Sequence, residues 1–332
     1  MKSVTVLGSG TWGTALASML ARDNGCHVTL WSAFKSEIDQ LSSKHIHPRL
    51  QGLVIPEELN FGTDISEVCK SADIIVFAVP SPFVRETARK AAPFIKSDAI
   101  IVDVAKGLER GSHMTLCEVI EDELGGERGG IVALSGPTHA EEVGLALPTA
   151  IVASSKKMQA AELIQQIFSN GYFRVYTNTD IKGIEICGAM KNIIAIAAGI
   201  SEGLGCGDNA KAAIITRGMA EITRLGVSMG CSQRTFESLA GIGDLVVTCT
   251  SRHSRNNRAG YLIGKGKSAD EAAKEVGMAV EGLNALPAAI EFAEFFGVEL
   301  PICSTLAQVV RGELPAADAL TALMMRELKA EI

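Results

Sequence analysis

The chain runs to 332 residues, 47% hydrophobic and 21% charged, a soluble globular composition long enough for two domains. Its net charge of −7 excludes a nucleic-acid surface, because no basic excess exists to displace counterions; an anionic ligand must be met by cations gathered locally. Eight cysteines without Cys-x-x-Cys or zinc spacing, and a start with no signal peptide, point to reduced thiols, no metal centre and a cytoplasmic protein.

Residues 3–8, Ser-Val-Thr-Val-Leu-Gly, predict a short apolar strand, and residues 14–22 and 27–31 predict a helix and a second strand. Between the first strand and the helix stands Gly8-Ser9-Gly10-Thr11-Trp12-Gly13. A glycine turn in that setting is a dinucleotide-binding fingerprint. Gly8 permits the tight turn, Gly10 lets a pyrophosphate approach the backbone, and Gly13 lets helix and strand pack closely. The N–H groups of the helix start then face the phosphates.

An NAD-specific site usually has an acid at the end of the second strand to bind the ribose 2′-hydroxyl. Here the strand runs out through Trp31-Ser32-Ala33-Phe34-Lys35, with no acid before Glu37. That removes a repulsion against a 2′-phosphate, and Lys35 or Arg49 is either a plain surface charge or a group that reaches one. The corner therefore tilts toward NADP or dual use.

Further strands are expected over 73–80, 99–104, 130–135, 149–153 and 172–176, with helices such as 82–94 and 114–124 between most of them. Several are Val/Ile runs without alternation, as in a parallel sheet covered on both faces. Ligands of open α/β sheets bind beyond the carboxyl ends of the strands. Lys106 and Thr138 occupy such loops, in Ala105-Lys106-Gly107 and Gly136-Pro137-Thr138-His139.

From about residue 181 the alternation stops, and helices are expected over 183–200, 209–229, 233–240, 269–276, 281–296 and 316–330. The fold class is thus an α/β N-terminal Rossmann-type dinucleotide-binding domain over 1–182 and an all-α substrate-binding domain over 183–332. The first of these helices is apolar almost all round, which suits a buried core helix. Glu185, Lys191 and Asn192 interrupt it, arguing against a transmembrane segment. Lys191 has Cys187, Gly188, Ile194 and Ala195 one turn away on either side, mostly small neighbours that leave room for a small molecule. Such a lysine is either a proton carrier or a packed stem whose head snorkels to water.

A polar stretch runs from Ala240 to Arg258. It holds Asp244 and then Ser254-Arg255-Asn256-Asn257-Arg258, a succession that suits a phosphate clamp or, alternatively, an exposed loop with ordinary ion pairs.

Several segments together resemble bacterial NAD(P)-dependent glycerol-3-phosphate dehydrogenase. They are the stretch from Gly8 to Ala17, Gly136-Pro137-Thr138-His139-Ala140-Glu141-Glu142 and Cys187-Gly188-Ala189-Met190-Lys191-Asn192. The stretch from Asn209 to Gly218, and that from Gly243-Asp244-Leu245 to Ser254-Arg255-Asn256, belong with them. The resemblance implies interconversion of sn-glycerol 3-phosphate and dihydroxyacetone phosphate with NADP or NAD, mostly as the reduction that supplies phospholipid synthesis. It implies Lys191 as the active-site base, with substrate contacts from Lys106, Gly136, Thr138, Asp244, Ser254, Arg255 and Asn256. Cofactor contacts would come from Thr11, Trp12, the corner of Ser32 and Ala33, Lys106, Ala140, Arg255, Ala279 and Glu281. Ala33 stands where the family often has a basic residue or histidine, Arg49 where it has an aromatic, His139 for phenylalanine and Asn257 for arginine. Arg49 either replaces a lost cofactor contact or is simply exposed.

The implied chemistry has Lys191 donating the proton as negative charge grows on the substrate oxygen, with Asp244 orienting the ammonium and Lys106 depressing its pKa. The partner is a phosphorylated small molecule, with no nucleic acid and no membrane span. A homodimer is expected on base rates alone. Two other readings stay open: a related lysine-dependent hydroxy-acid dehydrogenase, and a nucleotide-binding sensor without turnover.

Overall fold

A computed structural model describes residues 1–126, 128–328 and 330 of the chain. It divides into two compact units, one of Met1–Glu109 with Met114–Glu185, the other of Arg110–His113 with the residues from Ile186 onward.

The first unit is built on one sheet of β1 (Ser3–Leu7), β2 (His27–Trp31), β3 (Asn60–Gly62), β4 (Ile74–Phe77), β5 (Ile100–Asp103), β6 (Gly130–Ser135), β7 (Thr149–Ser154) and β8 (Phe173–Asn178). The spatial order is β3-β2-β1-β4-β5-β6-β7-β8. Between the strands run α1 (Thr11–Arg22), α2 (Lys35–Lys44), α3 (Ile65–Lys70), α4 (Val84–Ala91), α5 (Leu116–Leu124), α6 (Ala140–Gly144) and α7 (Met158–Phe168). All of β4 and β5 is buried, which is why these Val/Ile runs carry no polar alternation.

The strand order turns back at β1, whose neighbours are β2 and β4, so the carboxyl ends of β1 and β4 form the switch point where doubly wound sheets bind ligands. Two glycines shape that end. Gly8 has φ +126°, and a Cβ on it would lie 2.6 Å from the Ala78 carbonyl oxygen beyond β4. A Cβ on Gly13 would lie 2.0 Å from the Gly8 carbonyl oxygen, so α1 can start this close to the strand only without one.

The sheet is parallel, as the Val/Ile runs suggest, except at one pairing: β7 runs antiparallel to β6, while β8 runs parallel to β7. The link 136–148 holds only the short α6 and no helix that crosses back over the sheet, so the chain returns from the end at which β6 leaves. β3 was not expected, having three residues and no apolar run.

The second unit is helical: α8 (Ile181–Leu204, entering from the first unit), α9 (Gly207–Ser228), α10 (Gln233–Phe236), α11 (Asp244–Thr250), α12 (Arg255–Gly264), α13 (Ala269–Val276), α14 (Glu281–Phe296), α15 (Pro301–Val310) and α16 (Ala316–Met324). By length and composition α8 could cross a membrane, but 94% of its most apolar window is buried in the protein, so it is a core helix. Glycines let its neighbours reach its backbone. A Cβ on Gly260 would lie 2.0 Å from the Ile196 carbonyl oxygen, one on Gly199 2.0 Å from that of Asn257, and one on Gly282 2.5 Å from that of Asn192.

Three expectations change here. The helix placed over 233–240 is only α10, followed by a π-type turn over Leu239–Gly243 in which Gly241 leaves helical geometry (φ −86°, ψ −107°). The stretch 240–258, read as a polar stretch with an exposed loop as one alternative, is mostly α11 and the start of α12. The helix expected over 316–330 ends at Met324, and residue 329 lies outside the described ones.

Candidate active site

In the first unit, the turn Gly8–Gly13 leads from β1 into α1, whose N-cap Gly10 makes no side-chain bond. A Cβ on Gly10 would meet nothing within 4 Å, so the backbone there is open to a ligand, and the uncapped helix start offers its first N–H groups to an anion. Trp12 packs with Ala15, Leu50, Leu53 and Ala140, which brings the expected cofactor residues Trp12 and Ala140 together. Thr11 is buried in the same helix start.

The corner after β2 differs from the sequence reading. The acid that seemed too far along the chain is brought back: Glu37, in the first turn of α2, accepts hydrogen bonds on Oε2 from the hydroxyls of Ser9 (2.5 Å) and Ser32 (2.7 Å). Ser32 Oγ in turn accepts from the Phe34 N–H at 3.2 Å, which fixes the corner, while Ala33 and Lys35 stay exposed. His47 also joins this neighbourhood. It bonds the Ser9 backbone, and its ring nitrogen Nδ1 accepts from the Arg49 N–H at 3.1 Å. Burial pushes the His47 imidazole below its usual value, against the smaller upward pull of its Ser9 bond and of Glu37. Arg49 itself is exposed, and its charge is felt by His47.

At the carboxyl ends of β5 and β6, Lys106 Nζ donates to the Gly136 carbonyl oxygen at 3.0 Å, and Thr138 Oγ1 donates to the same oxygen at 3.1 Å. Lys106 thus joins Gly136 and Thr138, which follow it at a distance in the sequence, in one cluster.

In the second unit, Lys191 is 6% exposed on α8. Its ammonium donates to Asp244 Oδ1 and, at 2.7 Å, to Thr248 Oγ1. Thr248 passes its own hydrogen to the Asp244 carbonyl at 2.6 Å, one turn back on α11. Asp244 is 1% exposed and stands where the π-type turn ends, so the turn aims the carboxylate at the lysine. Thr248 is a member of this group that the sequence reading missed; its spacing of four from Asp244 on one helix face was the available signal.

Ser254 caps α12, its hydroxyl accepting from the Asn257 N–H at 3.2 Å, and Arg255 and Asn256 are the first residues of that helix. The expected clamp is thus a helix N-terminus rather than a loop, which adds backbone donors to the side chains. Arg255 Nη1 donates to the Ala279 carbonyl at 3.1 Å, joining two expected cofactor residues, and Glu281 opens α14 two positions later. Asn256 is engaged inside the unit: Nδ2 donates to Asn192 Oδ1 and Oδ1 accepts from the Gly282 N–H, both at 2.9 Å, leaving one amide hydrogen for a ligand.

A buried group in the first unit went unseen in the sequence. Asp103, Cys117 and Glu185 bring ligand-type atoms within 4.8 Å of one another. Asp103 Oδ1 accepts from the Ala105 N–H at 3.1 Å and Glu185 Oε1 from the Cys117 N–H at 2.7 Å, while the remaining carboxylate oxygens are buried without partners. Burial raises the Glu185 carboxyl to about 7 and lifts Asp103 well above the carboxylate range, Glu185 adding to the second effect. Asp103 thereby holds the strand exit on which Lys106 stands.

Residues 3–161 match the family described as NAD-dependent glycerol-3-phosphate dehydrogenase N-terminus, and residues 180–321 match its C-terminal counterpart. A glycerol-3-phosphate dehydrogenase (NAD(P)+) of Lactobacillus delbrueckii subsp. bulgaricus is 54% identical over 336 residues, covering 100% of this chain and 99% of its own. That of Bacillus subtilis is 49% identical over 328 residues, covering 98% and 95%. The crystal structure of glycerol-3-phosphate dehydrogenase from Coxiella burnetii matches with TM-score 0.93 at 37% identity, over 98% of this chain and 99% of that one. The chain belongs to the family of NAD-dependent glycerol-3-phosphate dehydrogenases.

Proposed function

We propose that this protein interconverts sn-glycerol 3-phosphate and dihydroxyacetone phosphate with NAD(H) or NADP(H), in the cell chiefly reducing dihydroxyacetone phosphate for glycerophospholipid synthesis. The observation that carries the reading is the Lys191 ammonium, buried yet bonded to both Asp244 and Thr248. A lysine held so is a directed proton donor rather than a snorkelling surface group.

Residues 1–182 are the proposed nucleotide-binding domain and 183–332 the proposed substrate-binding domain. The open backbone at Gly10 and the uncapped start of α1 fit a pyrophosphate, with Ser32 and Ala33 on the adenosine side. When bound, the reduced nicotinamide supplies the hydride for the substrate carbonyl carbon. Lys191 gives its proton to the carbonyl oxygen as charge grows there, and Asp244 and Thr248 keep that proton aimed. Ser254, Arg255 and Asn256 are the proposed phosphate anchor, assisted by the N–H groups of α12, and Lys106 and Thr138 are proposed substrate contacts. Phosphate binding positions the reacting carbon. A cytoplasmic setting rests on eight cysteines without the spacing of a disulfide framework, and a homodimer on base rates.

The test is the loss of near-ultraviolet absorbance of NADH, and separately NADPH, on adding dihydroxyacetone phosphate to the purified protein. Oxidation that requires this substrate supports the assignment. Oxidation only with a 2-oxo acid would transfer it to a hydroxy-acid dehydrogenase, and nucleotide binding without turnover on either would make the protein a sensor.

A further inference from the structure

We propose that Glu37 makes this protein select NADH over NADPH. The inference rests on the dehydrogenase reading above and specifies its cofactor. Two hydroxyls from different loops converge on one oxygen of Glu37: Ser9, between the glycines that end β1, and Ser32, directly after β2. These are the two loops between which an adenosine ribose lies in a doubly wound sheet. The strand end itself offers only Ala33, so the carboxylate usually found there is supplied by a helix that folds back to it.

The chemistry follows from which oxygen is committed. Oε2 is taken by the two serines, whereas Oε1 has no hydrogen bond among the described residues and Glu37 is exposed. A ribose 2′-hydroxyl is a donor and can give its hydrogen to Oε1. A 2′-phosphate is a dianionic acceptor that would stand against the carboxylate with no hydrogen to share. The neighbouring cations do not cancel that charge. No ion pair to Glu37 occurs among the described residues, and burial pushes the neighbouring His47 imidazole down, away from its cationic form. Lys35 and Arg49 are both exposed. The serines also keep the carboxylate from swinging out toward solvent, where it would cease to discriminate.

The experiment is a fluorescence titration of NADH and of NADPH on the purified full-length protein without substrate, repeated on Glu37→Gln, with kcat/KM for both nucleotides alongside. Gln keeps the shape of the side chain on an exposed helix turn, and a melting curve checks that the variant is folded. Wild type is expected to bind NADH at least about tenfold more tightly than NADPH. Glu37→Gln is expected to narrow that ratio to within about threefold, mainly by tightening NADPH. Equal binding of the two nucleotides by wild type would overturn the proposal while leaving the dehydrogenase reading intact. So would a ratio that Glu37→Gln leaves unchanged. Binding of neither nucleotide would overturn both.

Discussion

The side-chain amide of Asn256 donates to Asn192 Oδ1 at 2.9 Å and so ties the first turn of α12 to the residue that follows Lys191. Because the Asn256 oxygen also accepts from the Gly282 N–H, one buried amide joins α8, α12 and α14. Within the helical unit the proposed phosphate anchor and the proposed proton donor are thereby held in a fixed relation. Truncating Asn256 strands an oxygen and an N–H that are both away from water. Asn256→Ala is expected to lower the free energy of unfolding by about 2–3 kcal/mol. Urea melts give the loss, and a double-mutant cycle with Asn192→Ala is expected to return a coupling of at least about 0.5 kcal/mol. Additive losses would mean that the bond transmits nothing between the helices.

Lys191 and Asp244 separate stability from chemistry. Lys191→Ala is expected to cut kcat by about 10²–10⁴ while NADH affinity, read by fluorescence, stays within about twofold of wild type. Asp244→Ala leaves the ammonium buried without its carboxylate, at a cost of about 3–5 kcal/mol in urea unfolding. Replacing both by apolar residues, Lys191→Met with Asp244→Leu, is expected to recover most of that stability and none of the turnover. Retention of more than about a tenth of kcat in Lys191→Ala would remove the lysine as the acid.

The first strand, glycine turn, helix and second strand were legible because a short apolar run, a glycine pattern and a helical run abut within one short segment. The Lys191 helix was legible because it is apolar almost all round. What escaped depends on how elements meet. Glu37 lies five residues beyond Ser32, and nothing local reveals that α2 leaves the corner at an angle returning its carboxylate to Ser9 and Ser32. Asn and Gly in 255–264 have poor helix propensity, and it is backbone contact of Gly260 with α8 that overrides them. The direction of β7 follows from the path of 136–148, and Asp103, Cys117 and Glu185 meet only because β5, α5 and α8 converge.

That buried acid pair predicts a pH dependence of stability opposite to the usual carboxylate case. The Glu185 carboxyl titrates at about 7 in the folded protein against a reference of 4.5, and Asp103 is raised in the same direction. Between those values the unfolded chain has released a proton that the folded protein still holds, so stability falls as pH rises. The relative stabilisation is complete below about pH 4.5 and is lost on approaching about pH 7. For Glu185 the loss amounts to roughly 2–4 kcal/mol. Glu185→Gln keeps an acceptor for the Cys117 N–H and carries no charge. In urea unfolding near pH 5 and near pH 7.5, it should gain on wild type as pH increases. A difference that does not change with pH would show that Glu185 does not titrate in that window.

Arg255 and Ser254 share one turn but carry different burdens. The Ser254 hydroxyl accepts from the Asn257 N–H and closes the start of α12, so Ser254→Ala should cost about 1 kcal/mol of stability. Arg255 is half-exposed, and with Nη1 on the Ala279 carbonyl its guanidinium is oriented while its other N–H groups remain to meet an anion. Arg255→Ala should raise KM for dihydroxyacetone phosphate by at least about tenfold, with Arg255→Lys between it and wild type because an ammonium restores charge without the fork. The decisive comparison uses dihydroxyacetone without its phosphate. If Arg255 acts on the phosphate, this truncated substrate is reduced poorly by wild type and Arg255→Ala reduces it no worse. Equal damage to both substrates would place Arg255 on the nucleotide alone, and an unchanged KM for the phosphorylated one would take it out of the anchor.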